Sequence, residues 1–154
     1  MAETLAHTMH ALVIPTTRVP MLVPSAITAE IMSVPRLNPL PFSENWLLGV
    51  IGWRNRAVPV ISFENLLGDP TPPIFHHRSK VVIFQPLSGL SEWDFFGILA
   101  SADPHPYTIS SATDLKASST PISSPLVAST VTVGRTAVVI PDMDGLRRAL
   151  YPGR

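Results

Sequence analysis

The sequence predicts an all-β protein of short strands, and three observations carry that expectation. Seventeen prolines and eight glycines interrupt nearly every segment of the 154 residues, which leaves no room for long helices. The apolar runs between them are short and rich in β-branched residues. The content is 45% hydrophobic against 14% charged, so the chain folds around a core and is not disordered.

In chain order, the expected strands are Ala11–Ile14, Val19–Val23, Leu47–Trp53, Ala57–Ile61, Val81–Phe84, Phe95–Ala100, Leu126–Val133 and Thr136–Ile140. Several short strands set off by turn signals imply a barrel or a sandwich. Helix is expected in three places: a turn or two at Ala26–Met32, a short one at Phe63–Leu67 and a last one at Met143–Leu150. Asp142 is a suitable N-cap for the last, and Arg147 and Arg148 fall in its final turns, where cations suit the helix dipole. Two surface loops are expected, from Gly68 to His77 and from Ser110 to Pro125. The whole chain, 1–154, reads as one domain.

One pattern occurs twice. Trp46–Gly68 reads strand, polar turn, strand, short helix, and Leu126–Leu150 reads the same. Val58-Pro59-Val60-Ile61 and Ala137-Val138-Val139-Ile140 match at a spacing of 79 residues. Two similar β subdomains packed together would explain the echo, although the same order of elements is common among β-rich proteins.

Composition narrows the function. Eleven basic residues balance eleven acidic ones, only Lys80 and Lys116 are lysines, and no basic block occurs. Nucleic acid and anionic membrane are therefore poor partners. There is no cysteine, which removes disulfides and thiolate chemistry and fits a reducing cytoplasm. The first residues carry an acid where a signal peptide has Lys or Arg, and nowhere do about 18 uninterrupted apolar residues occur. A cytoplasmic location is expected. So little charge also implies an apolar patch kept for a partner.

Chemistry is sparse. His7 and His10 lie near the terminus, His105 stands alone, and His76 and His77 are adjacent, so an extended chain points them apart. A zinc site needs three or four converging ligands, so solvated loop histidines are the better reading and no metal is expected. Asp94, Asp103, Asp142 and Asp144 sit at segment ends, where caps and turns want them. No nucleophile elbow, phosphate loop or dinucleotide fingerprint appears, so neither catalysis nor a cofactor is expected.

The densest signal is Trp46–Gly68. Asn55 suits a turn residue of positive φ, and Pro59 inside a strand implies an edge or a bulge. Arg54 would then project from a tight turn between aromatic-rich strands, either as a solvated arginine or as an interface anchor. Gly49-Val50-Ile51-Gly52-Trp53-Arg54-Asn55-Arg56-Ala57-Val58-Pro59-Val60-Ile61-Ser62-Phe63, preceded by Thr28-Ala29-Glu30-Ile31, resembles the hallmark of CheW-type chemotaxis adaptors. That hallmark has the form Gly-Val-x-Asn-Leu-Arg-Gly-x-x-x-Pro-Val-x-x-Leu after a Val-x-Glu-Ile segment. Trp46-Leu47-Leu48-Gly49, Trp53-Arg54 and Ser62-Phe63-Glu64 look most like the ChpC branch of pilus-linked chemosensory systems. Asn55 replaces a Gly, Gly52 an Asn, Thr28 a Val, and Ser101 stands where the family has an acid.

The resemblance implies two intertwined five-stranded SH3-like barrels with a hydrophobic groove between them. It implies a non-enzymatic adaptor whose partners are a CheA-like histidine kinase and the cytoplasmic tip of a methyl-accepting chemoreceptor. By matching position, Thr28, Gly49 and Arg54 would face those partners, with Gly49 open to a structural reading instead. Glu30 and Trp53 join the set on residue type. The competing expectation is a β-barrel module for a small ligand or glycan. It requires a deep closed cavity lined by Trp46, Trp53 or Trp93. A weaker third is an enzyme with dispersed catalytic residues.

Overall fold

The computed structural model describes residues 8–87, 91, 94–110 and 115–153. Strands β1 (Met9–Ile14), β2 (Met21–Pro24), β8 (His105–Ile109), β9 (Lys116–Ala117), β10 (Val127–Val133) and β11 (Thr136–Pro141) form one sheet, ordered β8-β1-β2-β11-β10-β9. Strands β3 (Thr28–Ser33), β4 (Leu47–Trp53), β5 (Arg56–Ile61), β6 (Lys80–Phe84) and β7 (Phe96–Ala100) form the other, ordered β3-β6-β7-β5-β4. Helices α1 (Phe63–Leu66) and α2 (Met143–Leu150) each follow a hairpin. The first two strands thus leave the middle of the chain to pair with its last ones.

Strands β1, β2, β6 and β7 are buried on both faces over most of their length, because their side chains alternate between two different cores. In β6, Val82 and Phe84 enter a central cluster with Ile14, Met21, Phe63, Phe96, Val139 and Leu146, drawn from both sheets. Their neighbours Val81 and Ile83 turn to a second cluster with Ile51, Trp53, Val58 and Val60, inside the five-stranded sheet. A third cluster, with Ala11, Val13, Leu22, Val131 and Val138, fills the six-stranded sheet in the same manner. Phe84 and Phe96 stack at 5.0 Å across the central core. The all-β expectation is met, as two sheets with a shared core and a short C-terminal helix, although one sheet has six strands where five were expected.

Four expectations are corrected. Ala26–Met32 is helical only at its start: a 3-10 turn at Ser25–Ile27 leads into β3, whose pairing with β6 outweighs the helix preference of Ala29, Glu30 and Met32. Strand β9 falls inside the Ser110–Pro125 segment expected to be a loop, and β8 is a strand that was not expected; β8 accommodates Pro106 because it is an edge strand. Pro59 is not at an edge, since β5 lies between β7 and β4. Its partner Val50 turns both backbone groups toward Asn38, so the Pro59 nitrogen faces β7, whose ladder begins only at Val60. Finally, the echo runs at an offset of 80, not 79. Leu47 and Val127 open matching bulges, and Ser62 and Asp142 cap matching helices.

Candidate functional site

The β4–β5 hairpin is built from its base upward. Near the base, Gly49 adopts φ 151, and a Cβ there would lie 2.8 Å from the Asn38 carbonyl oxygen. Asn38 pairs with Val50 through two backbone hydrogen bonds of 2.9 Å and so covers part of the outer edge of β4. Gly49 is therefore the structural glycine that lets Asn38 approach.

At the tip, Trp53 pairs with Arg56 and leaves Arg54-Asn55 as a two-residue turn. Both have positive φ, 46 for Arg54 and 61 for Asn55, as a type I′ turn requires. Asn55 fills that role readily. Arg54 does so against its steric preference, by about 1–2 kcal/mol.

Trp53 is only 6% exposed. It belongs to the core of its sheet and supports the surface without forming it. Its indole N–H donates to the Glu30 carboxylate, its ring lies 5.0 Å from that of Phe95, and the Arg54 guanidinium rests 4.5 Å above it. Arg56 lies 4.8 Å over Phe95. Glu30 is on β3 and Trp53 on β4, the two ends of the hydrogen-bonded order, so their contact shows that the sheet curls into a barrel.

Glu30, Trp53 and Arg54 thus converge, and Gly49 shapes the strand beneath them. Thr28 stands apart at the bulge that opens β3, where its hydroxyl donates to the Ser25 carbonyl at 2.7 Å. Phe95 and Arg56 were not singled out by the sequence. Phe95 is far from the motif in the chain, and only the barrel closure brings it near.

A second feature lies between the halves of the molecule. A cavity of about 410 Å³ is lined by Thr16, Val19, Phe63, Leu67 and Ile122, with Arg18 and Asp69 at 2.6 Å on its rim. The Asp69 carboxyl is held below its ordinary value, first by the Thr71 backbone N–H and then by Arg18. Neither Trp46 nor Trp53 lines this cavity, and Trp53 borders an open depression at the tip. Trp46 packs against the central core, and Trp93 lies outside the described residues. Among the described residues, this cavity is therefore not the closed tryptophan-lined one that a ligand module requires.

His10, His76, His77 and His105 are exposed, and His7 lies outside the described residues. Among the described residues, no three His, Asp or Glu side chains gather as a metal site would need. No helix among them is long and apolar enough to cross a membrane.

Comparison with known proteins places this geometry. The family model for the CheW-like domain matches residues 16–149. The scaffolding protein TtCheW from Thermoanaerobacter tengcongensis is similar in structure, with a TM-score of 0.73 over 93% of this chain and 90% of that one. Its sequence identity of 13% makes this a likeness of fold. No curated protein matches the chain.

Proposed function

Because the chain belongs to the CheW-like domain family, we propose that it is a non-enzymatic cytoplasmic adaptor that couples chemoreceptors to a CheA-type histidine kinase. In this reading the chain is one folded unit of two β subdomains, and its work is to hold two partners in register. What it contributes is a difference in interface energy between two signalling states. The pilus-linked branch is the proposed setting, on the strength of Trp46–Gly49, Trp53-Arg54 and Ser62–Glu64.

The single observation that carries the proposal is Arg54. It occupies a left-handed backbone position that Gly or Asn would fill with less strain. Among the described residues it makes no ion pair. An unpaired guanidinium held on an indole at a hairpin tip supports a role as the contact to a partner carboxylate. Glu30 and Trp53 surround it, Gly49 sets the strand beneath, and Thr28 supplies a separate polar point on the same barrel. The inter-barrel cavity at Val19, Phe63 and Ile122 is the proposed seat for the receptor's hairpin tip.

The test is a titration of the chain with the kinase regulatory domain and with the receptor tip of the same cell. Arg54→Ala should weaken one of them by about 2 kcal/mol, roughly thirtyfold. Its melting curve should stay within about 0.5 kcal/mol of the parent. A mutant that melts early yet binds normally would make Arg54 a folding residue and remove the proposed site.

A further inference from the structure

Arg54 could reach a partner only if its guanidinium is held in place, because a long side chain at a turn otherwise samples many rotamers. The surrounding geometry holds it through Trp53. The indole is fixed from separate directions: its N–H donates to Glu30 on β3, and its ring packs on Phe95, itself backed by Arg56. Glu30 is exposed, yet it makes no salt bridge among the described residues, with Arg54 or with any other cation. Its described bond is to the indole.

We propose that Glu30 and Phe95 are positioning residues: they lock the Trp53 ring so that its face carries Arg54 ready for a carboxylate on a protein partner. Glu30 then acts as a hydrogen-bond acceptor for Trp53, and its negative charge is incidental. This rests on the adaptor reading for the identity of the partner, but the locking itself does not depend on it.

Glu30→Gln keeps an acceptor for the indole N–H and removes the charge, whereas Glu30→Ala removes both. Phe95→Leu keeps apolar volume and removes the ring. In titrations with the kinase domain and receptor tip, Glu30→Gln should bind within about twofold of the parent. Glu30→Ala and Phe95→Leu should each weaken binding by about five- to tenfold, and neither should weaken it further in an Arg54→Ala background. Equal losses for Glu30→Gln and Glu30→Ala would make Glu30 a direct charge contact and overturn the proposal. So would losses that add in full to that of Arg54→Ala.

If the parent binds neither partner, the adaptor reading fails, and a second measurement on the full chain still decides the locking. The Trp53 indole N–H should exchange with solvent faster, and the Arg54 Nε–H signal should broaden, in Glu30→Ala but not in Glu30→Gln. Unchanged signals in Glu30→Ala would overturn the positioning role.

Discussion

The hairpin β4–β5 with α1 and the hairpin β10–β11 with α2 are two versions of one unit. At an offset of 80 the same backbone bonds recur: Leu47 N–H to the Glu44 carbonyl and Val127 N–H to that of Ser124, both at 3.1 Å. Ser62 and Asp142 likewise donate their backbone N–H to Trp46 and Leu126, at 2.8 and 2.9 Å. The tips differ. Where the first has Arg54 at φ 46, the second has Gly134 at φ 62, and where the first has Trp53, the second has Val133. The second tip has one left-handed position and meets it with a glycine, whereas the first has two, at Arg54 and Asn55, and adds an aromatic stack. Strain at Arg54 supports the partner contact proposed for it.

The largest break in this comparison lies at the helices. Gly145 matches Asn65, but a Cβ at Gly145 would come within 2.1 Å of the Pro125 carbonyl oxygen. Gly145→Ala should therefore cost about 2–4 kcal/mol, since backbone must move to admit it. Thermal melting of the variant, lower by about 4–16 °C at 2–4 °C per kcal/mol, is the check. A neutral outcome would mean that the two halves are more alike than their contacts imply.

The tips offer a reciprocal pair. Arg54→Gly should raise stability by about 1 kcal/mol while abolishing the proposed contact, and Gly134→Ala should lower stability by about 1 kcal/mol. Paired melting and titration of both variants would separate strain from binding. Arg54→Gly without any gain in stability would mean that the stack on Trp53 offsets the strain.

Caps come next. The Asp142 carboxylate accepts from Gly145 N–H at 2.8 Å, and the Ser62 hydroxyl accepts from Asn65 N–H at 3.2 Å. Asp142→Ala should cost about 1 kcal/mol and Ser62→Ala about half that, because a charged, shorter cap serves the longer helix. Chemical denaturation of both would rank them.

The smallest effect is one of pH. Among the described residues, the loop after α1 is pinned by Asp69 and Arg18, and no ion pair takes that place after α2. With its pKa lowered from the ordinary 3.8, Asp69 stabilises the fold above that value and loses the effect as pH falls through the lowered one. Melting temperatures of the parent and of Asp69→Asn should differ near neutrality and converge in strong acid.

Much of this was legible in the sequence, and what was not has physical causes. Leu47–Trp53 and Met143–Leu150 have the bounds expected, because their patterns and caps are local. Asn55 announced its positive φ for the same reason. The strand β3 was hidden because Thr28–Ser33 has no clean alternation, and its structure is decided by a neighbour some fifty residues away. The echo was legible as a pattern but misaligned by one residue. Apolar letters repeat along any strand, whereas bulge, turn and cap fix the register. At the site, Arg54 stood out on its own, but the burial of Trp53 and the arrival of Phe95 depend on closure of the barrel.

The parallel pairing of β2 with β11 has a consequence for how the protein comes off the ribosome. Val139 donates its N–H to the Pro20 carbonyl, a contact spanning most of the chain. The five-stranded sheet, contained between Thr28 and Ala100, has all its strands early and can assemble during synthesis. The opening hairpin β1–β2 must wait, with Ala11, Val13 and Leu22 lacking Val131 and Val138 on that side, until the final hairpin emerges. Loop closure over such a distance is slow, so the nascent chain carries an exposed apolar edge for most of its translation.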